Sequence, residues 1–222
     1  MQSIASVLFA CFLLISCGEK KNKGEFGEGE IEFDTKAVDP THPLAGLAPG
    51  TATLRFKNEM FMMEMSTMGM FNTMIIGDTK KKTLAQTIKF MDIKQACIEN
   101  EQDISKENAS YRLIIEETKE TKEMLGMKAI KLKVTMATDP SRTFDAYYTK
   151  DLGMENCNAL TPYASVKGVL LDYRVKRMGM EMRFVARSYK NVEVSENIFE
   201  IPAYMKIVSK AEMEKFFLDL QY

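Results

Sequence analysis

Residues 130–136 read Ile130-Lys131-Leu132-Lys133-Val134-Thr135-Met136, so that every second side chain is apolar. This period of two is typical of a β-strand with one buried face and one solvated face, as in antiparallel sheets. Similar alternation recurs at 31–33, 54–62, 84–90, 144–148 and 178–184, with turn-forming residues such as Gly77-Asp78 between the runs. The sequence therefore predicts about eight or nine strands.

Two segments break this pattern and predict helix. Residues 42–49 are apolar and bounded by proline, which indicates a short helix or an ordered loop. Ser209 and Glu212 have the spacing of a capping box, and they precede one apolar helix face made of Met213, Phe216, Phe217 and Leu220. The polar residues 100–110 are predicted to be a loop, and the carboxylates Glu116, Glu117 and Glu120 a solvated turn.

These elements predict an α+β fold. A sheet of this length must curl or close, because otherwise its apolar face would be bare. We therefore expect a strongly curved, half-barrel-like antiparallel sheet with a short helical loop and a C-terminal helix.

Composition excludes several classes of function. The chain has 222 residues, 30 Lys+Arg against 31 Asp+Glu, and a single histidine, His42. A near-neutral balance gives no electrostatic basis for nucleic-acid binding, and one histidine excludes zinc sites that need two or three imidazoles. Neither a nucleophile elbow nor a Gly-rich phosphate loop is present. We expect a protein that is not an enzyme and has no cofactor.

The N-terminus predicts where in the cell the protein is located. Residues 1–16 carry no charged side chain, and the apolar run Val7–Ile15 is too short to span a bilayer but suits a secretory signal. The following Leu14-Ile15-Ser16-Cys17-Gly18 resembles a bacterial lipobox, which implies cleavage before Cys17 and acylation of that cysteine. Gly18 in the next position implies the outer membrane by the same resemblance, on either of its faces. The alternative is a buried apolar strand or helix.

The predicted organisation has three parts: a signal peptide at 1–16, a lipidated cysteine with a flexible tether at 17–27, and one domain at 28–222. The membrane is then a partner through the Cys17 lipid anchor. Two further cysteines, Cys97 and Cys157, would either form a disulfide in the oxidising envelope or remain as buried free thiols.

Methionine is the unusual residue of this chain, which has 18 of them. They cluster at 60–74 and at 178–182, and the phase change at Met62-Met63 predicts a β-bulge or a strand bend. Flexible thioether side chains suit a deformable cavity for an apolar small molecule or lipid. Such a pocket would need about 300 Å³ or more. We expect its wall to be formed by Met60, Met62, Met65, Met180, Met182 and Phe184.

Two alternatives stay open for the methionines. Met178, Met180 and Met182 alternate along one strand, which places their thioethers on one face as soft ligands for Cu(I). Otherwise methionine only fills an irregular core, and the protein is a structural or partner-binding lipoprotein without a small ligand.

A family resemblance runs through residues 28–215. It is carried by 29–33 (Gly-Glu-Ile-Glu-Phe), 52–57, 120–129, 144–150, 166–173 and 199–204, in that order. Together these segments resemble an uncharacterised, often Met-rich family of Bacteroidota envelope lipoproteins. That family is similar to carriers of the lipoprotein-localisation type, in which a curled antiparallel sheet holds acyl chains. The resemblance implies that fold and an apolar ligand, and it supplies no catalytic residues.

Overall fold

The computed structural model of the chain describes residues 27–67, 69, 71–177 and 179–220. The predicted signal peptide, the lipidation site Cys17, nearly all of the tether and Met178 lie outside the described residues. Within the described part, neither helix has the length and apolar character needed to cross a bilayer.

Twelve strands of the described residues form one mixed but almost wholly antiparallel sheet. The first meander consists of β1 (Glu28–Ala37), β2 (Thr51–Lys57), β3 (Met60–Thr67), β4 (Phe71–Asp78), β5 (Thr83–Phe90) and β6 (Ile93–Glu99). The second consists of β7 (Leu113–Met124), β8 (Met127–Met136), β9 (Asp139–Thr149), β10 (Val169–Arg177) and β11 (Met180–Lys190). The short β12 (Lys206–Ile207) runs parallel to β6 at one edge.

Few helices accompany this sheet. Helix α1 (Glu101–Ser110) connects the two meanders, and helix α2 (Lys210–Asp219) ends the described chain. Short 3-10 turns occur at Ala45–Leu47, within the predicted helical loop, and at Glu196–Phe199. Ser209 caps α2 through the predicted capping box with Glu212. The α+β class with an unclosed, curved antiparallel sheet is confirmed.

Strand β1 holds the two meanders together. It pairs with β2 on one side and with β11 on the other, so residues separated by about 150 positions become neighbours. Its buried Ile31 and Phe33 point to the concave face, while Glu28, Glu30 and Glu32 point to the convex face. The central position explains why β1 is the most deeply buried of the N-terminal strands.

The curvature brings distant strands together. Glu99 at the end of β6 lies 3.6 Å from the guanidinium of Arg177 at the end of β10, although six strands separate β6 and β10 in the sheet. Lys210, the first residue of α2, lies 2.9 Å from the other carboxylate oxygen of Glu99. This ion cluster therefore ties β6, β10 and α2 together.

Three predictions about the elements are wrong. The sheet has twelve strands in the described residues rather than eight or nine. Residues 101–110 are helical, because Asn100 and Asp103 form a capping box and Ile104 is buried against the core. Residues 113–124, including Glu116, Glu117 and Glu120, form the edge strand β7, whose polar side chains remain exposed on both faces.

The predicted bulge in β3 is also absent. The pairings of β3 with β2 and with β4 run without a register shift, so Phe61, Met63 and Met65 share the concave face. Met62 lies on the convex face, where Ile198, Phe199 and Ile201 of the chain crossing beneath the sheet cover it. Gly77 on β4 leaves room for the Phe61 ring, because a Cβ at that position would overlap the ring.

Candidate functional site

The concave face of the sheet borders an apolar cavity. Strands β2 to β5, β10 and β11 form its wall, and it is covered by three segments: the loop of residues 42–49, the loop of residues 150–168 and helix α2. Its volume is about 160 Å³. The side chains that line it are mainly Leu, Met, Phe and Val, and Arg177 is the charged residue among them.

Methionines supply much of this lining. Four of the six predicted wall residues border the cavity, namely Met65, Met180, Met182 and Phe184, and Met63 and Met154 do so as well. Met60 and Met62 do not border it, because without a bulge strand alternation turns them to the convex face. Met60 is half-buried and Met62 is buried beneath the 3-10 turn of residues 196–199. The wall prediction is corrected at these two positions.

Aromatic rings form one side of the cavity. Tyr173 stacks on Phe184 with their ring centroids 5.1 Å apart and an interplanar angle of 10°. Phe33 and Tyr163 contact Tyr173 edge-on, both at 6.0 Å. Such ring pairs stabilise beyond the area that they bury, whereas the methionine side chains of the lining are flexible and can adjust.

A few polar groups come from the loop of residues 150–168. Asn158 is buried and donates both amide hydrogens of Nδ2 to carbonyls, at 2.9 Å to Val166 and 2.7 Å to Gly168. The Cys157 thiol donates to the Gly168 carbonyl at 3.2 Å. These bonds hold the loop over the end of β10 and place Cys157 and Asn158 at the cavity surface.

Charged residues lie where α2 meets the cavity. Glu99 is almost fully buried and receives Lys210 at 2.9 Å, and Lys210 also lies 3.5 Å from Glu107 of α1. Burial alone would lower the pKa of Lys210, but the hydrogen bonds and charge interactions with Glu99 and Glu107 together outweigh burial and raise it. The ammonium group is therefore held in its charged form between Glu99 and Glu107.

The two cysteines are free thiols in the described structure. Cys97 packs with Phe71 and Phe217 beneath α2, whereas Cys157 packs into the main core across the cavity. Burial raises the pKa of Cys97 to about 11 and that of Cys157 to about 12. In the described structure both are free thiols, with Cys97 buried and Cys157 partly buried.

Size limits what this cavity can hold. At about 160 Å³ it is smaller than the pocket of about 300 Å³ expected for a complete small ligand. It is comparable with the apolar cavity of about 150 Å³ that takes up benzene in an engineered protein. A six-membered ring or a short stretch of hydrocarbon therefore fits, and a whole lipid does not.

Metal ligands of the usual kinds do not converge here. Within the described ranges, no group of three or more His, Cys, Asp and Glu side chains is arranged to hold a metal ion. Met180 and Met182 lie next to each other along the cavity wall, while Met178 falls outside the described residues. The structure therefore gives the positions of two of the three possible Cu(I) ligands.

The fold belongs to the class of open, strongly curved antiparallel sheets that carry little helix. The chain is similar to a solved structure of PNGF-II in the P21 space group, with 13% sequence identity and a TM-score of 0.55. That similarity covers 87% of this chain and 34% of PNGF-II. For a second PNGF-II structure, in the C2 space group, the identity is 15%, the TM-score 0.53, and the coverage 88% and 33%.

The chain thus spans about a third of the length of PNGF-II, and at this identity the similarity concerns the fold. Comparison with protein-family models finds no match. Comparison with curated proteins finds none either.

Sequence reasoning missed the aromatic side of the site and its covering loop. Tyr173, Tyr163 and Asn158 carry no motif, and they meet only because β10 follows the loop of residues 150–168. One signal was available for Tyr173. It stands two residues before Val175 and four before Arg177 on an alternating strand, so it shares their face.

Proposed function

We propose that the chain is a lipid-anchored, non-enzymatic protein of the bacterial envelope that binds the apolar part of a lipid or acyl chain in the concave cavity. The observation that carries this proposal is the cavity itself, which is lined by five methionines and by a packed aromatic wall. Its position between a curled sheet and a short amphipathic helix resembles the arrangement expected of an acyl-chain carrier.

The proposed ligand enters only in part. A cavity of about 160 Å³ accepts one chain end or one ring, and the rest of the molecule would extend past α2 into solvent or toward the membrane. Unbranched methionine side chains can change rotamer and enlarge the space at low cost. The proposed site residues are Met65, Met180, Met182 and Phe184.

The proposed anchor is Cys17. Its acyl chains would hold the protein on the outer membrane, and residues 18–27 would let the domain reach about 35 Å from the lipid surface. A membrane-tethered domain meets lipid at high local concentration, so even a small cavity of modest affinity would be occupied.

The test is native mass spectrometry of the full chain, extracted from bacterial envelopes into an amphipathic polymer. Wild-type protein should carry an apolar adduct that dissociates on collisional activation. Val175→Phe places extra volume in the cavity and should remove that adduct. Ile114→Phe adds similar bulk at an exposed position and should retain it. Adducts that are equal in all three proteins would contradict the proposal.

A second candidate is Cu(I) binding, favoured by the adjacent Met180 and Met182 in the cavity wall. Thioether sulfur is a soft ligand that selects Cu(I) over harder ions. Met180→Leu conserves volume, so it should abolish copper retention if the thioether is a ligand and leave an apolar pocket intact. Copper measured after dialysis against a Cu(I) chelator decides this, and equal retention in both proteins would exclude the copper site.

A further inference from the structure

The hydroxyl of Tyr173 is an unused hydrogen-bonding group inside an apolar cavity. Its ring is enclosed by Phe33, Tyr163 and Phe184, and the residue borders the cavity. The hydroxyl makes no hydrogen bond with any residue of the described ranges. Gln95 Oε1 is fully enclosed without a partner, whereas Tyr173 keeps part of its surface accessible and borders the cavity.

Three other tyrosines differ from Tyr173, because each of their hydroxyls has a hydrogen-bond partner. Tyr163 donates its hydroxyl to the Arg174 carbonyl at 2.7 Å, and Tyr111 donates to Glu181 at 2.8 Å. The Tyr148 hydroxyl is bonded to Glu117. Buried tyrosine hydroxyls normally find a partner because an unpaired polar group in an apolar site costs free energy. Tyr173 lacks such a partner within the protein.

A second polar group without a donor borders the same cavity. Asn158 commits both hydrogens of Nδ2 to the Val166 and Gly168 carbonyls, which fixes the orientation of its amide. Its Oδ1 then receives no donor from the described residues, and Asn158 also borders the cavity. Cys157, next in sequence, is close enough to Tyr173 for its charge to add to the effect of burial in raising the pKa of Tyr173.

These two groups have complementary requirements. A tyrosine hydroxyl both donates and accepts a hydrogen bond, whereas an amide oxygen only accepts. A ligand group that satisfies both must itself donate and accept, which describes an alcohol. A carboxylate cannot donate a hydrogen bond, and the charged residue of the lining, Arg177, is four residues further along β10, about 13 Å from Tyr173 between Cα atoms. An ester carbonyl or a plain alkane would leave Asn158 Oδ1 unpaired.

We infer that the cavity selects an uncharged hydrocarbon ligand that carries a hydroxyl group, which Tyr173 and Asn158 bind beneath the loop of residues 150–168. This inference rests on the proposed function and specifies its ligand class. The hydrocarbon part would lie along Val175 and Met182.

The test compares three probes of equal chain length, 1-hexanol, n-hexane and hexanoate, at pH 7. The full chain is held in lipid nanodiscs and equilibrated with each probe across a dialysis membrane, and uptake by empty nanodiscs is subtracted. Free and bound probe are measured by gas chromatography. We expect 1-hexanol to bind more tightly than n-hexane by about five- to tenfold, as one additional hydrogen bond provides, and hexanoate to bind most weakly.

Two variants test whether the Tyr173 hydroxyl causes the preference for 1-hexanol over n-hexane. Tyr173→Phe removes only the hydroxyl, which has no protein partner, so the protein should keep its thermal midpoint while the preference for 1-hexanol over n-hexane disappears. Tyr163→Phe is the matched control in the same cavity. It removes a hydroxyl that bonds Arg174, so it should lower the thermal midpoint and keep the preference for hexanol.

The outcomes separate this inference from the proposed function. Binding of n-hexane as tight as that of 1-hexanol, or an unchanged preference in Tyr173→Phe, would overturn the hydroxyl-binding role while leaving an apolar cavity. Binding of hexanoate as tight as that of 1-hexanol would overturn the inference that the ligand is uncharged, and it would indicate that Arg177 binds the carboxylate. Absence of binding for all three probes would overturn both.

Discussion

At the residue scale, one large side chain and one glycine fix which methionines line the cavity. Phe61 and Gly77 face each other across β3 and β4, and the ring occupies the space that a Cβ would need. Because side chains alternate along β3, this contact places Met63 and Met65 on the concave face and Met62 on the convex face.

Substitution of Gly77 tests this contact. Gly77→Ala should lower the free energy of unfolding by about 2 kcal/mol, because the new methyl group overpacks against Phe61. Gly50→Ala is the control, since a Cβ there meets open space, and it should change stability by less than about 0.5 kcal/mol. Urea unfolding gives both values. Equal values for the two variants would contradict the contact between Phe61 and Gly77, and with it the assignment of which β3 side chains lie on the concave face.

The cysteines provide a second test at this scale. Burial holds the pKa of Cys97 at about 11 and that of Cys157 at about 12, so at pH 8 both are overwhelmingly thiols and react slowly. Iodoacetamide should leave both unmodified in the folded protein and alkylate both in urea without a reductant. Peptide mass spectrometry reads each site. A cross-linked Cys97–Cys157 peptide from unreduced protein would contradict the free-thiol assignment.

At the element scale, a ladder of ion pairs on the convex face joins β2, β1 and β11. Arg55 binds Glu30 at 2.8 Å from β2, and Lys190 binds Glu32 at 2.7 Å from β11. Burial would raise the pKa of Glu30, but its hydrogen bonds and charge interactions with Lys190 and Arg55 outweigh burial and lower it. The Lys190 hydrogen bond is the main cause that lowers the pKa of Glu32 to about 2.

Acid should therefore weaken the central pairing of the sheet. A carboxyl whose pKa is lowered in the folded state stabilises that state above its unfolded value of about 4.5, and this stabilisation is lost as the pH falls toward 2. Urea midpoints should decrease steadily between pH 5 and about pH 2. Glu32→Gln should reduce the slope, while Glu123→Gln, at an exposed position of β7, should retain it. A slope that Glu32→Gln leaves unchanged would contradict this role.

The cluster around Glu99 is the second element-scale feature, because it fastens α2 over the cavity. Glu99→Gln removes the charge that Lys210 and Arg177 share and should cost about 3 kcal/mol, as expected when one partner of a buried ion pair is lost. Glu107→Gln removes a more exposed carboxylate from the same lysine and should cost less than about 1 kcal/mol. Chemical denaturation measures both, and the reverse order would exclude the fastening role.

The elements also show which structure the sequence could predict. Strands with one solvated face were recognisable because their period of two is strict, as in 130–136, and α2 was recognisable from Ser209 and Glu212. Strand β7 was not, because an edge strand exposed on both faces has no apolar period. Helix α1 buries only Ile104, so its sole local signal was the pairing of Asn100 with Asp103.

The site was predictable in part for the same reason. Met65, Met180, Met182 and Phe184 follow from alternation within their own strands, whereas Met60 and Met62 depended on a bulge that β3 does not have. The contribution of the loop of residues 150–168 depends on tertiary contacts such as the amide bonds of Asn158 to Val166 and Gly168, which no local pattern encodes.

At the scale of the whole molecule, the proposed anchor and the proposed cavity are linked. Cys17→Ser would remove the acylation site and should abolish incorporation of radiolabelled palmitate while leaving the fold of residues 28–220 unchanged. Phosphor imaging of the purified chain measures incorporation. Cys97→Ser is the control and should retain the label. Label of equal intensity in Cys17→Ser would contradict the lipoprotein proposal.

The central claim is that the curled sheet encloses an apolar cavity that a ligand occupies. The most direct measurement is a high-resolution electron-density map of the full chain crystallised as extracted from bacterial envelopes, with no ligand added. We expect elongated density of non-protein origin bordered by Met65, Met182 and Phe184, with one end within hydrogen-bonding distance of the Tyr173 hydroxyl. A concave face closed by its own methionine side chains, with no space left between the sheet and α2, would contradict it.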